Sequence, residues 1–105
     1  MEPRILYVER KTGANQAWIG RVSFSKTGRT LYYRGMSFRS LGGSGISGNY
    51  RELESREEYW ISGCKRDGGD RLFGSRLPVM IDEDVREEYW TLVRRLPAMT
   101  SRKVA

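Results

Sequence analysis

The fold is decided by residues 18–34, which have the sequence WIGRVSFSKTGRTLYYR. In the first half of this stretch, Trp18, Gly20, Val22 and Phe24 fall on one side of the chain, while Ile19, Arg21 and Ser23 fall on the other. A period of two residues is typical of a β-strand with one buried face. The Ser-Lys-Thr-Gly segment that follows ends in a glycine suited to the left-handed position of a bulged turn. The stretch therefore predicts an antiparallel hairpin.

The segments on either side of this hairpin predict further strands. The apolar run Ile5–Val8 predicts a first strand. Residues 36–38 are expected to extend the returning strand beyond a bulge at Gly35. Residues 50–53 and 58–62 predict a second hairpin, although their Glu and Arg content also favours a helix. The chain is therefore expected to be rich in β-structure.

Two glycine-rich segments predict loops. Residues 43–48 match the pattern G-x-G-x-x-G, which binds dinucleotides when a strand precedes it and a helix follows it, because the pyrophosphate rests on the helix N-terminus. A predicted strand follows at Tyr50, so a flexible surface loop is expected here instead. Residues 67–70 predict a turn, and residues 71–73 a brief strand.

The C-terminal part predicts a helix over residues 83–96, entered directly from residues 78–81. Asp82 or Asp84 is expected to cap it, since Asp84 and Glu87 have the spacing of a capping box. Its apolar stripe consists of Val85, Tyr89, Leu92 and Leu96. This stripe is expected to pack on Trp18, Val22, Phe24 and Leu31, so the substitution Leu92→Asp should unfold the protein.

Together these elements predict an α+β, mainly β fold: a small, strongly bent antiparallel sheet or SH3-like barrel with one C-terminal helix. A length of 105 residues suits one domain, expected at residues 1–97, followed by a loose tail at residues 98–105. Cys64 is the only cysteine, so no internal disulfide can form. No apolar run approaches the roughly 20 residues of a membrane span, and a cytoplasmic location is expected.

The pentapeptide Arg-Glu-Glu-Tyr-Trp occurs twice, at residues 56–60 and 86–90. A duplicated unit would carry similar flanking residues, and these flanks differ. The two copies are expected to differ in structure, the first forming part of a strand and the second part of the helix.

Positive charge is concentrated in the first half of the chain. Residues 1–50 contain eight Lys or Arg and two Asp or Glu, whereas residues 51–105 contain eleven of each kind. A localised positive field attracts anionic partners. A second explanation stays open: 15 of the 19 basic residues are Arg, as expected for a chain encoded by a GC-rich genome.

The first hairpin carries the candidate binding residues. An Arg-bearing strand contacts phosphates while exposed aromatic rings stack on bases, which favours RNA or DNA as the partner. The candidates are Arg21, Lys26, Arg29, Tyr32, Arg34 and Arg39. Tyr32 is expected to be exposed because it lies opposite Leu31 and Tyr33. The alternative is a solvated outer face on which Arg keeps the sheet soluble.

The sequence offers little for catalysis, so no catalytic, cofactor-binding or metal-binding residue is predicted. It contains no His, the commonest general base and metal ligand. Cys64 has no imidazole partner, although Lys65 and Arg66 are expected to lower its pKa slightly. The acids between Asp82 and Glu88 are explained by helix capping and the helix dipole. A non-enzymatic nucleic-acid-binding module ranks first, a protein-interaction or accessory domain second, and a small carboxylate enzyme third.

Three segments carry a resemblance to a known group of proteins. These are residues 19–35, residues 58–63 and residues 81–90, and the resemblance extends over most of residues 4–97. They resemble a family of short uncharacterised bacterial proteins, some of which bear the automatic label 1-deoxy-D-xylulose-5-phosphate synthase. That enzyme is several-fold longer and uses thiamine diphosphate, and its cofactor and metal motifs have no counterpart in this sequence. The resemblance therefore implies relatives without implying an activity.

Overall fold

The computed structural model describes residues 1–71 and 77–105, so most of the strand expected at residues 71–73 lies outside the described part. Seven strands occur within these ranges. They are β1 (Arg4–Arg10), β2 (Ala17–Phe24), β3 (Thr30–Tyr33), β4 (Met36–Ser40), β5 (Tyr50–Glu52), β6 (Glu58–Gly63) and β7 (Val79–Ile81).

Strands β1 to β6 form a closed antiparallel barrel. Their order is β1-β6-β5-β4-β3-β2, and β2 closes the circle by pairing with β1. On its other edge β2 changes partner along its length, since residues 17–19 pair in parallel with β7 and residues 23–24 pair with β3. The architecture confirms the expected small, mainly β fold with one C-terminal helix, and it is consistent with an SH3-like barrel.

The first hairpin forms as predicted, but its continuation does not. The β2–β3 turn closes with a hydrogen bond from the Ser25 amide to the Thr30 carbonyl oxygen at 2.8 Å, and Gly28 has a φ of 74°. Gly35 was expected to be a bulge within one strand. Instead Arg34 and Gly35 form a two-residue turn with φ values of 50° and 75°, and β4 returns antiparallel to β3. Positive φ at both central positions is the requirement of a tight hairpin turn.

The barrel interior is filled by one apolar cluster. Its buried members are Leu6, Val8, Val22, Leu31, Tyr33, Phe38, Tyr59 and Ile61. The Phe38 and Tyr59 rings meet edge to face, with centroids 4.9 Å apart. Tyr33 points inward and Tyr32 is exposed, which confirms the assignment of the two adjacent tyrosines.

A second apolar cluster lies outside the barrel, where the C-terminal helix covers β1 and β2. Its buried members are Tyr7, Ala17, Ile19, Ile81, Val85, Tyr89 and Trp90. The expected packing of the helix on Trp18, Val22, Phe24 and Leu31 is therefore wrong. Those side chains belong to the interior cluster or pack against it. Alternating residues of β2 serve both clusters, because the strand is covered on both faces.

The C-terminal helix, residues 83–93, is not a regular α-helix. It consists of a 3₁₀ turn at Glu83–Val85, an α-helical turn at Arg86–Glu88 and a π-helical stretch at Tyr89–Val93. The wider π turn closes through i→i+5 hydrogen bonds and breaks the 3.6-residue repeat. Val85 and Tyr89 of the predicted stripe are buried, but Leu92 and Leu96 are 70% and 41% exposed, and Trp90 is buried in their place. The second half of the predicted stripe is therefore wrong, and the exposure of Leu92 removes the reason to expect unfolding from Leu92→Asp.

Residues near the C-terminus differ from expectation in two further ways. No strand was expected at residues 78–81, but Val79–Ile81 forms β7 before the helix begins at Glu83. The tail expected to be loose is bound along that strand: the Ile81 amide donates to the Lys103 carbonyl oxygen at 2.8 Å, and the Ala105 amide to the Val79 carbonyl oxygen at 2.9 Å. In the described part of the chain, no helix is long and apolar enough to cross a membrane.

The two copies of the pentapeptide differ in structure as predicted. In the first copy Trp60 lies in β6 and is 38% exposed, whereas Trp90 of the second copy is helical and buried. Tertiary context therefore decides the structure of this segment.

Candidate nucleic-acid interface

The six predicted binding residues divide into two groups, and Arg21 belongs to the first. It lies on the outer face of β2, directly beneath the C-terminal helix. Its Nη2 is 2.6 Å from Oε1 of Glu88, and its Nε is 3.8 Å from Oδ2 of Asp84. The positive charge of Arg21 is therefore compensated by the helix, and its first role is to hold the helix on the barrel.

Arg34 belongs to the same group. Its Nη2 is 2.5 Å from Oδ1 of Asp82, and its guanidinium lies over the rings of Trp18 and Tyr33 at 5.3 and 5.5 Å from their centroids. The other oxygen of Asp82 accepts a hydrogen bond from the Tyr33 hydroxyl at 2.5 Å. Asp82 thus connects the barrel to the helix start, and neither it nor Asp84 caps the helix through its side chain.

The backbone makes room for this connection at Gly20. A Cβ atom at that position would collide with the Tyr33 ring and with the Asp82 carboxylate. Burial, followed by the hydrogen bond to Asp82, raises the pKa of the Tyr33 hydroxyl well above its ordinary value, so the hydroxyl stays a donor. These contacts pair Arg21 and Arg34 with carboxylates of the same chain, so neither arginine adds an unpaired positive charge to the surface.

The second group consists of Lys26, Arg29, Tyr32 and Arg39, all of which are exposed. No carboxylate of residues 1–71 or 77–105 forms an ion pair with any of the three cations. The Arg39 side chain is oriented by a hydrogen bond from its Nε to Oγ1 of the nearly buried Thr30 at 3.0 Å. Its two terminal nitrogens have no hydrogen-bond partner among the described residues.

The structure adds Arg51, which the sequence analysis missed. In the β4–β5 register Arg51 lies directly opposite Arg39. Side chains at such positions have Cβ atoms about 5 Å apart, and like charges there are destabilising. The Nε of Arg51 is buried without a hydrogen-bond partner in the part of the chain that the structure describes. The basic face is defined here as Lys26, Arg29, Tyr32, Arg39 and Arg51.

A pocket opens beside the basic face at the rim of the barrel. It has a volume of about 390 Å³ and is lined by Gly28, Arg29, Arg39, Ser40 and Tyr50. The β2–β3 turn forms one wall, and the directly paired Ser40 and Tyr50 form the other. Two arginines and one half-buried tyrosine therefore line the same space.

The glycine-rich loop next to this pocket is a surface loop, as expected, but its amides are already engaged. Ile46, Ser47 and Gly48 donate backbone hydrogen bonds to Oε1 of Glu58 at 3.0, 3.0 and 2.8 Å. Successive backbone amides of this kind form an anion-binding concavity. These bonds hold the pKa of Glu58 below its ordinary value, with the Gly48 amide contributing most. The anion in this loop is therefore a carboxylate of the chain itself.

Two ionisable side chains, Cys64 and Asp70, bear on whether the protein could catalyse a reaction. Burial raises the pKa of the Cys64 thiol to about 12, so the expected lowering by Lys65 and Arg66 is wrong. Burial also raises the pKa of Asp70, whose Oδ1 accepts a hydrogen bond from the Lys65 amide at 2.7 Å. Among the described residues, no group of three or more His, Cys, Asp or Glu side chains is placed to hold a metal ion.

An apolar groove lies elsewhere on the surface, along β2 and β7. It has a volume of about 200 Å³ and is lined by Gln16, Ala17, Trp18, Leu77, Pro78 and Met80. Leu77 and Met80, which line this groove, are 39% and 41% exposed.

Comparisons with known proteins add no family to this description. No protein-family model, curated protein or solved structure matches this chain.

Proposed function

We propose that this protein is a non-enzymatic binding module that holds nucleic acid on the basic face. The observation that carries the proposal is the unequal pairing of its cations. Arg21 and Arg34 are neutralised by acids at the helix, whereas Lys26, Arg29 and Arg39 have no ion-pair partner in residues 1–71 and 77–105. An anionic partner would compensate these charges.

The distribution of the free cations favours a polyanion over a single small anion. The cations extend from the β2–β3 turn through β4 to β5, so several phosphate groups would be neutralised together. Tyr32 lies on the same outer face and is 43% exposed. An aromatic ring among cations gives a surface on which bases stack while the backbone phosphates are bound.

The test is a titration of fluorescently labelled RNA and DNA with the protein at several salt concentrations, followed by fluorescence anisotropy. Each phosphate neutralised contributes about −0.7 to the slope of log K against log salt for a single strand. Four cations therefore predict a slope of about −3. The variant Arg66→Ala is the matched control, because Arg66 is an exposed arginine on the loop that contacts the helix residue Arg94. Absence of binding at low salt would remove the proposal.

A second function, binding of a peptide or protein partner, is favoured by the apolar groove along β2 and β7. Small barrels bind extended peptides through aromatic grooves, and Trp18 is among the residues that line this one. The substitution Met80→Asp would weaken such a partner while leaving nucleic-acid affinity unchanged. If Met80→Asp instead lowers nucleic-acid affinity as much as loss of Arg39 does, the two surfaces are not separate. The cytoplasmic location stays a prediction.

A further inference from the structure

The rim pocket differs from a flat basic surface because an aromatic residue, Tyr50, forms part of its lining. Tyr50 is half-buried and packs against the interior cluster, so its ring is held in position. It pairs directly with Ser40 across the β4–β5 ladder, and both line the pocket. A ring fixed in this way offers a stacking surface at little cost in side-chain entropy.

The opposite side of the pocket is cationic and oriented in advance. Arg39 is fixed through its Nε by Thr30, which leaves its terminal nitrogens to bind an anion. Arg29 lines the same space from the β2–β3 turn. A guanidinium that is already oriented loses little freedom on binding a phosphate group.

The neighbouring Arg51 points to the same missing partner. Its buried Nε is without a hydrogen-bond partner in the described ranges, and its position in the sheet lies opposite Arg39 on β4 and opposite Glu58 on β6. A buried unpaired donor and two facing cations both cost stability in the free protein. An anion bound to Arg39 would reduce the repulsion between the two facing cations.

The size of the pocket restricts which form of nucleic acid fits. A volume of about 390 Å³ is within the range of small-ligand sites, roughly 300–1,000 Å³. A duplex keeps its bases paired and stacked, so it presents phosphates but no free base face to Tyr50. An unpaired nucleotide presents both groups. We infer that the rim pocket binds one unpaired nucleotide of single-stranded RNA or DNA, with its phosphate on Arg29 and Arg39 and its base against Tyr50. This inference rests on the proposed function.

The experiment compares three labelled probes at one low salt concentration: a 12-nucleotide single-stranded RNA, the DNA of the same sequence, and the blunt duplex of that DNA. The single strands are expected to bind about 10-fold more tightly than the duplex, because stacking of one base contributes on that order. The RNA and DNA arms decide which sugar is preferred. Duplex affinity equal to or above that of both single strands would overturn the inference.

Substitutions at the pocket test whether the preference for single strands over the duplex arises there. Tyr50→Leu is expected to lower single-strand affinity about 10-fold and to leave duplex affinity unchanged, whereas Tyr50→Phe retains the preference. Since Tyr50 contacts the core, Ser40→Leu provides a second route, because an aliphatic side chain at this exposed position narrows the pocket without adding a stacking ring and is expected to reduce the preference. Trp60→Leu is the aromatic control on a surface outside the pocket, and it should change nothing.

The outcomes separate this inference from the function on which it rests. Binding of all three probes with equal affinity, lost on substitution of Arg39, would contradict the nucleotide pocket and leave the nucleic-acid proposal standing. A strand preference that survives both Tyr50→Leu and Ser40→Leu would also contradict the pocket. Failure of every probe to bind would remove both proposals.

Discussion

The two sides of the barrel use arginine in different ways. On the side formed by β1, β2 and the C-terminal helix, Arg21 and Arg34 each contact a carboxylate supplied by residues 82–88. On the side formed by β3, β4 and β5, Arg39 and Arg51 face each other. The first side uses charge to attach the helix to the sheet. On the second side, Lys26, Arg29 and Arg39 form no ion pair within the described chain, and Arg51 lies opposite Glu58 as well as Arg39.

This difference shows that basic composition alone does not locate a binding surface. The five basic candidates looked equivalent in the sequence, yet two of them form ion pairs within the protein: Arg21 with Glu88 and Arg34 with Asp82. The helix side should therefore respond to substitution through stability, and the β3–β5 side through ligand affinity.

The largest effect is expected on the helix side. Tyr89 is fully buried in the cluster outside the barrel, whereas Leu92, three residues later, is 70% exposed. Truncating a large buried aromatic side chain costs about 3–5 kcal/mol, so Tyr89→Ala should lower the free energy of unfolding by that amount. Leu92→Asp should change it by no more than about 0.5 kcal/mol. Urea unfolding followed by circular dichroism measures both, and the reverse order would contradict the described packing.

A smaller, pH-dependent effect is expected at the loop beside the basic face. Three amides hold the pKa of Glu58 below its ordinary value of 4.5. A carboxylate with a lowered folded-state pKa stabilises the protein above its unfolded-state pKa, and this contribution is lost as the pH falls through the folded-state value.

The measurement is urea unfolding of the native protein and of the Glu58→Gln variant from pH 7 to pH 3. The native protein should be the more stable at pH 7, and the difference should shrink below about pH 4.5. A difference that stays constant over this range would show that the loop amides do not depend on the Glu58 charge.

The smallest effect is expected just after the C-terminal helix. Arg95 has a φ of 54°, in the left-handed region where helices commonly end in glycine. The Leu96 amide closes the helix end with a hydrogen bond to the Trp90 carbonyl oxygen at 2.7 Å. Arg95→Gly should therefore raise the free energy of unfolding by about 0.5–1 kcal/mol. A loss of stability measured by thermal unfolding would mean that the Arg95 side chain makes a stabilising contact.

The elements that could be predicted from the sequence are those with a regular local pattern. The β2–β3 hairpin follows from alternation and a suitable turn, and β1 follows from a short apolar run. The second hairpin was predicted at residues 50–53 and 58–62, although the Glu and Arg content of these residues also favoured a helix. The exposed position of Tyr32 also followed from alternation alone. The existence of a C-terminal helix was predictable for the same kind of reason.

The features that could not be predicted depend on distant contacts. β7 has only three residues and forms because β2 offers a parallel edge, which no local pattern shows. The π-helical stretch changes the number of residues per turn after Glu88. A pattern that assumes 3.6 residues per turn therefore places Leu92 in the core, whereas Leu92 is exposed. The turn at Arg34 and Gly35 lacks the Asn-Gly or Asp-Gly signal typical of such turns.

The candidate site was predicted in outline and corrected in detail. Lys26, Arg29, Tyr32 and Arg39 are exposed together, while Arg21 pairs with a residue 67 positions away. Arg51 was missed because only the β4–β5 register brings it opposite Arg39.

The most direct test of the two-sided account compares two double variants in one salt titration with labelled single-stranded nucleic acid. Gln removes the charge of Arg while keeping a polar chain. Arg29→Gln with Arg39→Gln should reduce the magnitude of the slope of log K against log salt by about 1.4. Arg21→Gln with Arg34→Gln should leave the slope unchanged and lower the melting temperature instead. Equal reductions of the slope by the two double variants would contradict the division of the barrel into a structural side and a binding side.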